Sequence, residues 1–255
     1  MPECHSSHPV EAISVDGVLS DDDIERILVI TAHPDDVDFG SAGTVATWTD
    51  KGIAVSYCII TDGDAGGFDA SVSRSEIPRI RRGEQEAAAS VLGVDDLHWL
   101  GYPDGRLEVT LDLRRDLSRV IRKVRPQRVL CQSPQRNWDR IYASHPDHLA
   151  AGEASMCAIY PDARNDFTFT ELLDENLTGW SVAETWVMSA PEPNTWIDTT
   201  EVLSRKVKAL LCHVSQLPDP GGLEERMRGW GEMTAKAGGL PEGHTAEAFR
   251  VMDTA

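Results

Sequence analysis

Short apolar runs rich in β-branched residues alternate with helical stretches along most of this chain, and that alternation constrains its fold more than any other feature. RILVITA (26–32), IAVSYCIIT (53–61), LHWLG (97–101), RVLCQS (128–133), TWVMSA (185–190) and TWIDT (195–199) read as strands. Between them, Phe39–Asp50, Glu76–Leu92, Asp112–Val124, a stretch from Pro146 to about Tyr160 and another from Thr200 to about Gln216 carry helical spacing. Gly52, Gly93 and Pro126 supply stops. Strand and helix alternating at roughly 25–30 residues imply βαβ units and a Rossmann-like, mostly parallel sheet with flanking helices. One α/β domain is expected over 24–217, after a polar arm (1–23) that ends in the acidic run Asp21–Asp23. Residues 218–255 are rich in Gly, carry one candidate helix at 223–236, and are expected to pack as an extension on the same domain.

The 255 residues are 41% apolar and 26% charged, enough for a sizeable core. Acidic residues outnumber basic ones 42 to 24, a net charge of -18. That balance argues against nucleic acid, whose phosphates demand Lys and Arg, and against an anionic membrane surface. A neutral or locally cationic small molecule is the easier partner. None of the five cysteines forms a CxxC pair, and Cys58 and Cys131 sit inside apolar runs, as reduced core thiols do. No apolar stretch approaches the ~18 residues of a membrane span, and MPECHSSHPVEAISVDG has neither a basic nor an apolar leader region, so a cytoplasmic location is expected. Association into a homo-oligomer is left open.

Polar clusters stand at two strand ends, where open α/β sheets place their ligands. AHPDD (32–36) directly follows RILVITA, and HPDH (145–148) lies in the loop after RVLCQS. Zinc favours imidazole and carboxylate donors, and a catalytic zinc keeps one position open for water. His33 and Asp36, like His145 and His148, are three residues apart, which puts each pair on one face of a first helical turn. Pro34 and Pro146 stiffen both turns, so the two groups could close one mononuclear site. Either motif alone could equally be a helix N-cap with a surface histidine. Their occurrence together is what favours the metal reading.

AHPDD after an apolar strand, with HPDH about 110 residues later, resembles the PIG-L/LmbE-like superfamily of metal-dependent N-acetylglucosaminyl deacetylases. TDGDAGG (61–67), RRGEQEAAASVLGV (81–94), LGYPDGRL (100–107) and KVKALLCHVSQ (206–216) fit the same pattern, so the likeness spans roughly residues 26–216. The resemblance implies that His33, Asp36 and His148 bind the metal, zinc or ferrous iron, and that Asp35 is the general base. It also implies an amino-sugar substrate that loses an N-acetyl or other N-acyl group. His145, as imidazolium, is expected to stabilise the oxyanion, with Asp147 orienting it and raising its pKa. Either Asp35 or His145 could protonate the leaving amine. Tyr142 is a candidate for polarising the carbonyl, although it stands three residues before the first histidine where relatives have two. Arg81, Asp64 and Asp104 are candidate sugar contacts, against the commoner use of such residues, with Arg82 and Glu84, as solvated helix face and turn formers. His98 and His213 read as structural, and His5, His8 and His244 as tail residues without a role.

Rival readings leave more unexplained. Asp62 and Asp64 after a strand resemble the DxD of haloacid-dehalogenase magnesium phosphatases, but no accompanying Lys or acidic pair follows, and HPDD and HPDH would be idle. A nucleotide-binding Rossmann domain would need GxGxxG or GxxxxGK[ST], and FGSAG (39–43) is neither. A metal-holding, catalytically silent sugar-binding module has no such contradiction, though Asp35 is present.

Overall fold

The run at 26–31 is enclosed because it acquires a strand on each side and a helical layer on each face. In the computed structural model, which describes residues 19–255, it forms β1 (Arg26–Thr31) and pairs in parallel with β2 (Ala54–Thr61) and β4 (Arg128–Gln132). Ile27 and Val29 point into a core shared with α1 (Asp36–Asp50) and α2 (Ile77–Val91). Leu28 and Ile30 point the other way, onto α3 (Leu111–Val124) and α4 (Pro146–Cys157). Full burial of each such side chain contributes about 1.5–3 kcal/mol.

β3 (Asp96–Tyr102) extends the sheet beyond β2, and β5 (Glu184–Met188) extends it beyond β4, all in parallel. A one-turn helix, α5 (Glu171–Asp174), precedes β5. Beyond β5 lie β7 (Ala246–Asp253) and then β6 (Thr195–Asp198), with β7 antiparallel to both, giving the order β3-β2-β1-β4-β5-β7-β6. The strand order reverses between β1 and β4, so the crevice of this sheet opens where AHPDD and the 133–145 loop leave their strands.

Three features depart from the sequence reading. No strand was expected after 218, yet β7 is hydrogen-bonded on both edges and belongs inside the sheet. The stretch 200–216 is not one helix: α6 (Leu203–Leu210) lies between two 3-10 turns at 200–202 and 214–216. The helix from Pro146 stops at Cys157, before a wider turn that contains Pro161. The candidate helix at 223–236 is α7 (Leu223–Ala237). Among the described residues, no helix is long and apolar enough to cross a membrane. Of the polar arm, residues 1–18, with His5 and His8, lie outside the described residues. Leu19 and Asp21 are held by Glu184 and by Arg128, which is fully buried between the rings of Trp48 and Trp186.

β7 is tied to α1 through charge. The buried Glu247 accepts from the backbone N–H groups of Gly43 (3.0 Å) and Thr44 (2.7 Å) and from the Thr44 hydroxyl (2.6 Å). Lys206 of α6 donates to Glu247 (2.6 Å) and to the Phe39 carbonyl (2.8 Å). Glycine at 43 allows this approach, since a Cβ there would stand 3.2 Å from Glu247 Oε1 and 2.6 Å from the Thr199 methyl. Removing one partner of a buried pair leaves an uncompensated charge. Glu247→Ala is therefore expected to destabilise the fold by about 3–5 kcal/mol, measurable by urea unfolding.

Candidate metal centre

β1 ends at Thr31, and the next five residues turn from strand to helix. Asp35 occupies the cap position of α1 but makes no side-chain cap hydrogen bond, which leaves its carboxylate free for other partners. Its backbone is left-handed (φ 86°), a conformation that costs a non-glycine residue roughly 1–2 kcal/mol. Asp36, the first helical residue, turns back so that its Oδ2 accepts the His33 N–H at 2.7 Å. Adjacent aspartates thus face different ways.

His33 Nδ1 lies 3.2 Å from Asp36 Oδ2 and 3.3 Å from His148 Nε2, and His148 Nε2 lies 2.9 Å from Asp36 Oδ1. Three donor groups from two strand ends therefore converge on one point. Two imidazole nitrogens and a carboxylate form the donor set of open zinc and ferrous sites. The far side of the His33 ring is also held. His33 Nε2 is 3.1 Å from Asp104 Oδ1 and 3.2 Å from Asp147 Oδ2. Metal-bound histidines make this kind of contact through their second nitrogen, which fixes the tautomer with a lone pair toward the ion.

The electrostatics call for a cation at the same point. Burial pulls the His33 imidazole down, but Asp36, Asp104 and Asp147 outweigh it and push it up to about 12. Burial raises Asp36, yet the imidazoles of His148 and His33 hold it well below the usual carboxylate range. Asp35 differs: burial pushes it up to about 6, with Arg81 working against the rise. Arg81 Nη2 donates to Asp35 Oδ2 at 3.0 Å and to the Pro34 carbonyl at 2.6 Å.

Several expected roles change. Arg81 is not part of a solvated helix face: it is buried and donates to Asp35 and to the carbonyls of Pro34 and Gly63. Asp104 faces inward to His33 and Arg81. Asp64 is paired with Arg74 (2.8 Å) and accepts the Asp104 N–H (2.9 Å). Asp147 orients His33, not His145, and is itself fixed by the N–H groups of Gly105 (2.7 Å) and Leu107 (3.2 Å). His145 is the N-cap of α4, its Nδ1 accepting the Asp147 N–H at 3.2 Å. Burial and the neighbouring His33 and His148 rings lower its pKa, against an upward pull from Asp147 and Asp104. A His145 nitrogen lies within 4.8 Å of nitrogens of His33 and His148. Tyr142 is 92% exposed and makes no hydrogen bond to these histidines.

Among the remaining residues, Asp62 faces Arg82 at 3.9 Å while Asp64 is paired with Arg74, an arrangement that does not favour a phosphatase. Glu84 accepts from Ser215, Arg82 lies over Trp99, His98 meets Asp96, and His244 is paired with Asp198. Sequence reasoning missed Gln85, whose Oε1 accepts the Asp35 N–H at 2.7 Å. The signal was present, because Gln85 stands one helical turn after Arg81. The loop at 62–76 and the start of α2 enclose a cleft of about 480 Å³ lined by Asp64, Phe68, Arg74, Ile77 and Ile80 among others.

The family profile described as PIG-L: GlcNAc-PI de-N-acetylase matches residues 28–159, which contain every residue of this centre. The diacetylchitobiose deacetylase of Thermococcus kodakarensis is 34% identical over 197 residues, covering 77% of this chain and 72% of that protein. A probable N-acetyl-alpha-D-glucosaminyl L-malate deacetylase 2 of Bacillus anthracis is 29% identical over 196 residues, covering 75% of this chain and 81% of that one. The solved structure of N,N'-diacetylchitobiose deacetylase from Pyrococcus horikoshii superposes with a TM-score of 0.83 at 31% identity, over 91% of this chain and 85% of that chain. The chain belongs to the PIG-L deacetylase family and is an amide hydrolase.

Because Asp147 reaches the donor set only through His33, Asp147→Ala is expected to weaken divalent metal binding by about 10- to 100-fold. Titration of the metal-free protein with zinc checks this.

Proposed function

We propose that this chain hydrolyses the N-acetyl group of an N-acetylglucosamine-type sugar, with His33, Asp36 and His148 holding a zinc or ferrous ion and Asp35 acting as general base. The observation that carries the reading is the division of labour in the Asp35–Asp36 pair. One carboxylate is locked between two imidazoles, and the other is held beside them by Arg81, free of helix-cap duty. A divalent ion held by these residues would supply Lewis acidity, lowering the pKa of water from 15.7 to about 7 and polarising a carbonyl.

Asp35 accepts the proton of the attacking water, and its elevated pKa makes it a stronger base than an exposed aspartate while leaving it ionised near neutrality. His145, its Nδ1 taken by the Asp147 N–H, is left with Nε2 as the donor suited to the carbonyl oxygen as negative charge builds there. Asp35 then returns its proton to the sugar nitrogen as the carbon–nitrogen bond breaks, releasing acetate and the free amine. The relatives named for diacetylchitobiose and for N-acetylglucosaminyl malate support an amino-sugar N-acetyl group as the substrate class.

Acetate release by the zinc-loaded protein across N-acetylglucosaminides (chitobiose, malate- and inositol-linked forms) tests the reading. Asp35→Asn is expected to retain full metal and lose about 10²–10⁴-fold in kcat. Near-wild-type turnover in that variant would remove Asp35 as the base. Tight sugar binding without acetate release in the wild type would replace the enzyme by a silent binding module.

A further inference from the structure

The carbonyl of Pro34 and the N–H of Asp35 belong to one peptide unit, and helix α2 grips both of its ends. Arg81 Nη2 donates to the Pro34 carbonyl at 2.6 Å, and Gln85 Oε1 accepts the Asp35 N–H at 2.7 Å. Residues 81 and 85 are one helical turn apart on the same face. That peptide plane sets φ of Asp35, which the fold holds at the unfavourable value of 86°. The direction of the Asp35 carboxylate, opposite in use to that of Asp36, follows from it.

Gln85 meets this requirement only with its amide oxygen turned toward Asp35, and something must hold it that way. Its Nε2 donates to Asp38 Oδ2 at 2.9 Å, so only the carbonyl oxygen remains to face Asp35. Asp38 is held in turn by His213, whose Nε2 lies 2.7 Å from the same oxygen. All three side chains are fully buried. None of them meets His33, Asp36 or His148, and the deacetylation steps proposed above use none of them. His213 arrives from the turn after α6, next to Ser215, whose bonds to Glu84 pin the same helix α2.

We propose that Gln85, oriented through Asp38 by His213, is a positioning residue that works with Arg81 to clamp the Pro34–Asp35 peptide and so aims the Asp35 carboxylate. The clamp is a fixed frame: a flat peptide held at both ends cannot rotate, and the left-handed turn persists without a glycine. The inference rests on the reading of Asp35 as general base.

Two readouts test it, one of them independent of substrate. Amide hydrogen exchange at Asp35 is expected to accelerate more than 10-fold in Gln85→Met, with exchange in β1 and the body of α1 unchanged. In the same variant kcat on an N-acetylglucosaminide is expected to fall about 100-fold, with KM within about 2-fold and bound zinc unchanged, the pattern of a misaimed group and not of a lost site. A second pair guards against a folding defect at position 85. His213→Leu should lower kcat about 10-fold, and His213→Gln, which can still donate to Asp38, should restore most of it. Unchanged exchange at Asp35 overturns the clamp. Accelerated exchange with wild-type kcat overturns its role in aiming the base, as do His213→Leu and His213→Gln if they behave alike. If the wild-type protein releases no acetate from any substrate, the functional reading falls while the exchange measurement still decides the clamp.

Discussion

Everything at the centre depends on β1 lying between β2 and β4. The parallel pairing of Ile27 with Arg128 through Ile30 with Cys131 brings two strand ends together that are far apart in the chain. Ala32 extends that seam, its N–H donating to Gln132 Oε1 at 2.8 Å, just before the chain turns into His33. From one end come His33 and Asp36, from the other His148. No local interaction could assemble this donor set. The sheet order places the two turns side by side, and helices α1 and α4 then begin there, presenting first-turn residues to a common point.

Around that point the protein keeps a surplus of carboxylates in a nearly dry space. Asp36, Asp104 and Asp147 all press on His33, and the price is severe unless a positive charge is present. A divalent ion would answer that demand, while Arg81 answers a separate one at Asp35. The two adjacent aspartates therefore live in different fields: Asp36 between imidazoles stays ionised, and Asp35 against a guanidinium and a buried wall has its affinity for a proton raised. A pair of identical side chains thus acquires opposite proton affinities through surroundings alone.

Much of this was legible in the sequence. Strand-ending HPDD and HPDH pointed to the donor set because their spacing is local and their position follows the apolar runs. What escaped depended on partners supplied by distant segments. Arg81 reads as solvated surface on an Arg/Glu-rich helix, since nothing nearby in sequence shows that the carbonyls of Pro34 and Gly63 will receive it. Asp147 sits beside His145 in the chain, yet its carboxylate turns to His33 because Gly105 and Leu107 draw it there. β7 was invisible for a related reason: AEAFRVMD is short and mixed in propensity, and it carries a charged residue on a buried face. Its strand identity comes from β5 and β6 on either side.

The placement of β7 also orders events during synthesis. β6 touches the sheet only through β7, and β7 leaves the ribosome some fifty residues after β6. Until residues 246–253 emerge, β5 presents an open edge, the kind of surface that invites pairing with another chain. Lys206 meanwhile has no Glu247, and the helix that begins with Asp36 lacks its brace at Gly43 and Thr44. The strand ends that carry His33, Asp36 and His148 are complete before that brace arrives. The last strand therefore closes the sheet and seats α1 only after it has been threaded between two earlier ones.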